Sequence, residues 1–276
     1  MLTGRGQPMN LRKWSVLAVA GVLVASLALF GCSSSGGQTN TGGDTGSDTG
    51  YTLVNDGKLT VAASLDFPPF ENLNGDKPEG FEVDLMGLLA QELDLDINYL
   101  PSTKFDTIIP LIQTGGKADV GVSGITITDE RLESVDFTDP VCDVNQSITV
   151  LKDSGITDVA QLEGKKVGGQ TGTTGYEWAA ENIKDVEMVG FDEMTAVFAA
   201  LQSGQIDAIA VDGPVANYYV KTAYTDCQVI KEVPTGEQYA IAVSQDNPEL
   251  TKALNTALKA VRENGKYDEL AAKWLQ

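Results

Sequence analysis

Ile112-Gln113-Thr114-Gly115-Gly116-Lys117-Ala118-Asp119 leads into Val120-Gly121-Val122-Ser123-Gly124, and Leu201-Gln202-Ser203-Gly204-Gln205-Ile206-Asp207 leads into Ala208-Ile209-Ala210-Val211-Asp212-Gly213. In both stretches an amphipathic run stops at glycine, an aspartate opens a short apolar run, and that run ends in a small polar turn. The echo is a weak internal repeat and predicts two similar halves. Outward from it, short apolar runs at 59–63, 97–100, 118–123, 145–151, 166–169, 187–190 and 206–211 read as strands. Amphipathic stretches at 81–93, 106–113, 176–183 and 192–202 read as helices, the first with Phe81, Leu85, Leu88 and Leu89 on one face. Residues 248–276 predict two more helices broken near Gly265. Alternating strands and helices imply α/β halves with mainly parallel sheets joined by right-handed crossovers. Ligands of such sheets bind beyond the carboxyl ends of the strands, which marks Ser123-Gly124 and Asp212-Gly213 as the places to look.

The chain has 276 residues and a formal net charge of −20. Three basic groups (Arg5, Arg12, Lys13) and no acid precede Cys32, so 16 basic and 39 acidic groups lie beyond it. So acidic a body repels phosphate backbones, and nucleic acid is not an expected partner. There is no histidine, which removes Ser-His and Cys-His catalytic pairs and imidazole zinc sites. Three cysteines are too few for a thiolate metal cage. No metal and no cofactor are expected.

The front end reads as an address. Arg12-Lys13 precedes an uncharged apolar run from Trp14 to Phe30, as in a secretory signal. At 17 residues the run is also near the lower limit for a retained membrane span. Leu29-Phe30-Gly31-Cys32 resembles the lipobox of bacterial lipoproteins, which implies cleavage before Cys32 and lipidation of that cysteine. Residues 1–31 are then the signal peptide, with the start at Met1 or Met9. From Ser33 to Gly50, 14 of 18 residues are Gly, Ser or Thr, a composition that makes a flexible tether. The expected location is the outer face of the cell membrane, or the periplasm if there are two membranes. Cys142 and Cys227 remain, and free thiols are favoured over a disulfide between them.

Beyond Cys32 there are two arginines, Arg131 and Arg262. Arg131 sits just past the end of an expected strand, where a planar guanidinium suits a carboxylate ligand. Local pairing with Asp129 or Glu130 is the alternative. The stretch Gly124-Ile125-Thr126-Ile127-Thr128-Asp129-Glu130-Arg131, followed by Val135-Asp136-Phe137-Thr138-Asp139-Pro140, resembles the signature of extracytoplasmic solute-binding proteins of the polar amino-acid type, which serve ABC importers. Further matches are Phe67-Pro68-Pro69-Phe70-Glu71, Gly80-Phe81-Glu82-Val83-Asp84-Leu85, Phe105-Asp106-Thr107-Ile108-Ile109-Pro110 and Leu162-Glu163-Gly164-Lys165-Lys166-Val167-Gly168. Several ordered motifs across 56–276 carry the resemblance.

The resemblance implies a two-lobe, periplasmic-binding-protein-like type II fold. Lobe 1 would be 51–140 plus 240–276, lobe 2 would be 146–234, and hinge strands would lie at about 141–145 and 235–239. It implies Phe67 and Phe105 as aromatic walls, and Arg131 as the carboxylate clamp, helped by Thr126 and Thr174. The Gly124 carbonyl would receive the ammonium, with Asp212 as its counter-charge from the other lobe. Gln170 and Thr171 would line the side-chain end. Ser64 stands where relatives that take cationic or amide ligands carry an acid, which favours a neutral polar amino acid or cystine. A desolvated zwitterion needs a partner for each charge, and one Arg and one Asp from different lobes meet that need.

The alternatives are that Phe67 and Phe105 are core aromatics and that Asp212 caps the helix begun by Pro214. The implied partners are an amino acid, an ABC permease and, through lipid, a membrane; the implied state is a monomer. Two other functions compete. One is a dehydratase acting on cyclic amino-acid precursors on the same scaffold; the other is a surface adhesin or sensor module. An enzyme needs a positioned acid or base, and the expected cleft offers Asp212, with Asp66 or Glu71 as the further candidates.

Overall fold

The computed structural model describes residues 50–275; the expected signal peptide, Cys32 and nearly all of the expected tether lie outside the described residues. The first part of the described chain forms β1 (Lys58–Ala62), β2 (Asp66–Phe67), β3 (Glu71–Asn74), β4 (Lys77–Glu79), α1 (Phe81–Glu92), β5 (Asp96–Tyr99), α2 (Phe105–Thr114), β6 (Val120–Gly121), α3 (Asp129–Leu132) and β7 (Asp136–Phe137). The second part begins with β8 (Cys142–Leu151). It continues through β9 (Lys166–Gln170), α4 (Thr174–Asn182), β10 (Glu187–Phe191), α5 (Met194–Gln202), β11 (Ala208–Asp212), α6 (Gly213–Thr222) and β12 (Cys227–Tyr239). β13 (Ala242–Val243), α7 (Pro248–Glu263) and α8 (Lys266–Trp274) close the chain.

The two main sheets have the same plan. One runs β5-β1-β6-β13-β7 and the other β10-β9-β11-β8-β12. In each, a central strand lies parallel to both neighbours, β1 between β5 and β6 and β9 between β10 and β11. The remaining pairings are antiparallel, because β13 and β8 each run against both of their neighbours. Parallel geometry therefore covers only the strand–helix–strand part, because β8 and β13 enter from the crossing segments rather than from a helix. The repeated aspartates do the same job twice. Asp119 accepts from the Thr60 amide of β1 at 2.7 Å, and Asp207 accepts from the Lys166 amide of β9 at 2.9 Å. Each aspartate thus clips its own strand to the neighbouring one.

Two local expectations change. The strand expected over 118–123 is a ladder of only Val120–Gly121, since Asp119 is spent on the clip and Ser123-Gly124 turns away. A small sheet, β2-β3-β4, occupies 66–79, where the Pro-rich sequence shows no strand periodicity. Helix α1 buries Phe81, Leu85, Met86, Leu89 and Ala90 against α7 and α8, but also Glu82, while Leu88 is half-buried. Burial of Leu250, Leu254, Leu258 and Val261 ties α7 back to the first lobe.

β8 and β12 pair along their whole length, from Cys227↔Leu151 at one end to Tyr239↔Cys142 at the other. They carry the chain between the lobes. The same ladder decides the cysteines. Cys142 and Cys227 stand at opposite ends of it, roughly 30 Å apart at strand rise, against about 6 Å needed for a disulfide. Both are free thiols. Burial pushes Cys142 up to about 12 and Cys227 up to about 11, so neither is a ready thiolate.

Candidate functional site

Both sheets end their parallel strands at the cleft, and residues after those ends face each other. Ser64 follows β1, Gly124 and Thr126 follow β6, Gln170 ends β9, and Asp212 ends β11. Phe67 lies in β2, Phe105 opens α2, and Thr174 opens α4. A single turn of helix projects Arg131; Thr128 caps it by accepting from the Arg131 amide at 3.2 Å.

Arg131 bridges the cleft. Nη1 donates to Thr126 O at 2.8 Å, and Nη2 donates to Gly172 O of the other lobe at 2.9 Å. Its guanidinium carbon lies 5.4 Å from the centroid of the Phe105 ring. Among the described residues no carboxylate lies within ion-pair distance, so local pairing with Asp129 or Glu130 is not its role. Two of five N–H donors are spent on carbonyls, which leaves donors for an anion. Burial lowers its pKa against the pull of Glu177, Asp212 and Glu237. A cavity of about 290 Å³ opens beside it, between Phe105 and Glu130 on one side and Gly172, Thr174 and Glu177 on the other.

Asp212 supplies the opposite sign. It occupies the residue before α6 but makes no side-chain cap, so it is not there to start the helix. It is 4% exposed and accepts from Gln146 Nε2 at 2.9 Å. Burial first, and Glu237 second, raise its pKa to about 7. Its neighbour Tyr239 is wholly buried and faces it without a well-formed hydrogen bond.

Thr126 and Thr174 meet across the cleft with their hydroxyls 3.5 Å apart. Gln170 Nε2 reaches Ser64 Oγ at 3.5 Å and Asp192 O at 3.0 Å. Phe67 serves two purposes: its ring lies against Gly124 on one side and stacks on Phe70, centroids 6.3 Å apart, on the other. Thr171 is not brought in. It is exposed, and its hydroxyl lies over Gly190 of β10.

Sequence reasoning passed over several groups. Glu237, on the crossing strand β12, accepts from Thr174 Oγ1 at 2.9 Å, Gln146 Nε2 at 2.9 Å and Thr126 Oγ1 at 3.4 Å. It therefore sits among the hydroxyls expected at the ligand's carboxylate. No motif signals Gln146 or Glu237, since each acquires its place only through strand crossing. Behind Gly124 lie two buried glutamates. Ser123 Oγ donates to Glu71 Oε1 at 3.0 Å, and the Gly124 amide donates to Glu82 Oε2 at 2.8 Å. The remaining oxygens, Glu71 Oε2 and Glu82 Oε1, are buried without a donor, and the two carboxyls are in contact. Burial raises both pKa values, which favours a proton held between the two carboxyls as the donor that these oxygens lack. Among the described residues no group of three or more His, Cys, Asp or Glu is placed to hold a metal ion.

Comparison with known proteins agrees with this architecture. The family profile of bacterial extracellular solute-binding proteins, family 3, matches residues 59–276. A probable histidine-binding protein of Neisseria gonorrhoeae is 33% identical over 273 residues, covering 96% of each chain. ABC transporter arginine-binding protein 1 of Escherichia coli strain K12 is 31% identical, over 79% of this chain and 90% of that protein. Among solved structures, an ancestral amino acid-binding protein, described as a precursor of cyclohexadienyl dehydratase, superposes with a TM-score of 0.73. It is 37% identical and covers 80% of this chain and 96% of its own.

Proposed function

The chain belongs to the bacterial extracellular solute-binding proteins, family 3, and we propose that it grips its ligand between Arg131 and Asp212. It binds an amino acid between two closing lobes and delivers it to an ABC-type importer, as its relatives named for histidine and arginine binding support. One observation carries the site reading: a guanidinium of one lobe and a carboxylate of the other converge on one cleft, with Thr126 and Thr174 touching across it. In this reading Arg131 holds the ligand carboxylate, Asp212 and the Gly124 carbonyl hold the ammonium, and Phe67 and Phe105 enclose the stem. Opposite charges on opposite lobes make closure part of binding.

The side-chain end favours a neutral polar amino acid or cystine. Ser64 Oγ donates to Asp66 Oδ1 at 2.9 Å, and Asp66 Oδ2 accepts from the Met194 amide at 2.6 Å. With both oxygens engaged, Asp66 has little to offer a cationic side chain. Upstream, the apolar run from Trp14 to Phe30 before Gly31-Cys32, and the tether after it, support a lipid anchor at Cys32. A thermal-shift screen of the full chain over the proteinogenic amino acids and cystine tests class and ligand together, because a ligand of the native state raises the melting temperature. A flat response to every compound removes the reading.

One observation favours a second reading. A carboxyl whose pKa is about 7 is poised for general acid–base work, and a solved neighbour is described as a dehydratase precursor. In the reading we favour, Asp212 is committed to the ammonium and no turnover follows. Incubation with prephenate-like and arogenate-like compounds separates the two, consumption supporting the enzyme.

A further inference from the structure

Helix α5 starts without a cap of its own. The residue before it, Glu193, places no side-chain acceptor on the first turn. The first amide of α5, that of Met194, donates instead to Asp66 Oδ2 at 2.6 Å. Asp66 belongs to the opposite lobe, in β2, one residue before Phe67. A second donor from the opposite lobe holds the same residue: Tyr219 Oη donates to the Asp66 carbonyl at 2.9 Å. Tyr219 is itself fixed in lobe 2, 5% exposed and with its ring centroid 4.4 Å from that of Phe198. Within lobe 1, Ser64 Oγ orients the carboxylate through Oδ1 at 2.9 Å. Beside this corner, Lys104 of lobe 1 pairs with Asp192, two residues before α5.

Resting on the binding reading above, we propose that Asp66 is a positioning residue for closure, capping α5 of the other lobe only when the lobes meet. The amides at a helix start need acceptors, and a carboxylate there gains from the helix dipole as well as from the hydrogen bond. In an open form Asp66 and the Met194 amide each return to water, so the contact exists in one state alone. Only such a contact biases an opening–closing equilibrium. A helix cap is worth about a tenfold change in that equilibrium. Asp66 therefore slows ligand release without touching the ligand, and it does so from a position that also orients Ser64.

The test places spectroscopic labels on unnatural side chains at Asp76 and Lys184 of the full chain and reads the distance between lobes. Wild type, Asp66→Ala and Asp66→Asn are titrated with a mixture of the proteinogenic amino acids and cystine. Stopped-flow fluorescence measures association and dissociation rates. The expected result is a dissociation rate about tenfold faster for Asp66→Ala, with the association rate unchanged and a matching shift in the concentration that half-closes the protein. Asp66→Asn keeps an acceptor but loses the charge, so it falls between. Equal closure and equal dissociation rates in wild type and Asp66→Ala overturn the proposal. If wild type does not close with the mixture, the binding reading falls. Asp66 is then judged on the ligand-free distance distribution, where Asp66→Ala must show fewer short distances than wild type or the proposal falls as well.

Discussion

β6 and β11 end in equivalent places in two sheets of the same plan, yet they bring opposite things to the cleft. After β6, Gly124 turns at φ 55° and offers backbone, and the cation comes a turn later from Arg131. After β11, the strand ends directly in a buried carboxylate, Asp212. Lobe 1 also has acids at its strand end, but Glu71 and Glu82 lie behind Gly124, buried and in contact. The difference shows how a chain of net charge −20 builds a site for a dipolar guest. One lobe hides its acids in a shared-proton pair and shows a guanidinium. The other shows its acid and leaves the cation out.

The largest break in this asymmetry is removal of the cation. Arg131→Ala should weaken binding of the amino acid found by the thermal screen by about 3–5 kcal/mol, as for truncation of one partner of a buried charge pair. Isothermal calorimetry reads it. An unchanged dissociation constant means that the carboxylate is gripped elsewhere.

Asp212→Asn comes next, at about 2–3 kcal/mol for a lost charge-assisted hydrogen bond, and it also carries a pH signature. In the empty protein Asp212 has a pKa of about 7, raised from 3.8. The folded protein therefore holds a proton that the unfolded chain has released. This contribution to stability is complete below the unfolded value and is lost as pH rises through about 7. Ligand ammonium favours the charged carboxylate, so binding expels the proton, and affinity falls as pH drops below about 7. Calorimetry in two buffers of different ionisation enthalpy should detect that proton in wild type and lose it in Asp212→Asn. Equal proton release in both proteins assigns it to another group.

Much of this plan was legible in the sequence, and what was not has a common cause. The repeat predicted two halves, and its aspartates prove to be equivalent strand clips, because period and turn chemistry are local properties. Arg131 and Asp212 were legible as opposite charges at strand ends. Burial of a charged residue was not. Glu82 shares helical spacing with Leu85, Met86 and Leu89 on the buried face of α1, and its carboxyl is accommodated there because Gly124 and Glu71 reach it from other elements. Gln146 and Glu237 acquire their places only when β8 and β12 cross between the lobes. The direction of Thr171 was equally hidden, since consecutive residues at the end of β9 point to opposite faces, Gln170 inward and Thr171 towards Gly190.

Paired glycine substitutions sharpen the contrast between the strand ends. A Cβ at Gly124 would lie 2.8 Å from the Phe67 ring and 3.1 Å from the Tyr239 ring, at a backbone angle that L side chains rarely adopt. Gly124→Ala should therefore cost about 1–3 kcal/mol in chemical denaturation. At Gly213 the nearest atom is Asn145 O at 3.4 Å, an ordinary contact in the first turn of α6. Gly213→Ala should be neutral or stabilise by up to about 1 kcal/mol, through loss of freedom in the unfolded chain. Similar losses at both positions would mean that the two ends are packed alike.

The smallest effect is the most selective, because it asks whether lobe 1 keeps its acids quiet with a proton. In Glu71→Gln the amide oxygen still accepts from Ser123 and the amide nitrogen donates to Glu82, so the substitution builds in the donor that the shared proton supplies. Near the unfolded carboxyl pKa, stability should change by less than about 1 kcal/mol, since an isosteric replacement preserves each hydrogen bond. The sign of the linkage makes the difference at higher pH. Burial, then Glu82, raise the Glu71 pKa, so wild type carries a proton into the fold and loses stability as pH rises through the folded value. Glu71→Gln has no proton there to lose. Its stability should fall less steeply than that of wild type between the unfolded and the folded carboxyl values, and the two denaturation curves should draw apart as pH rises through that window. Parallel curves would leave both glutamates ionised in the fold, and the contrast between a quiet acid pair in one lobe and a working carboxylate in the other would fail.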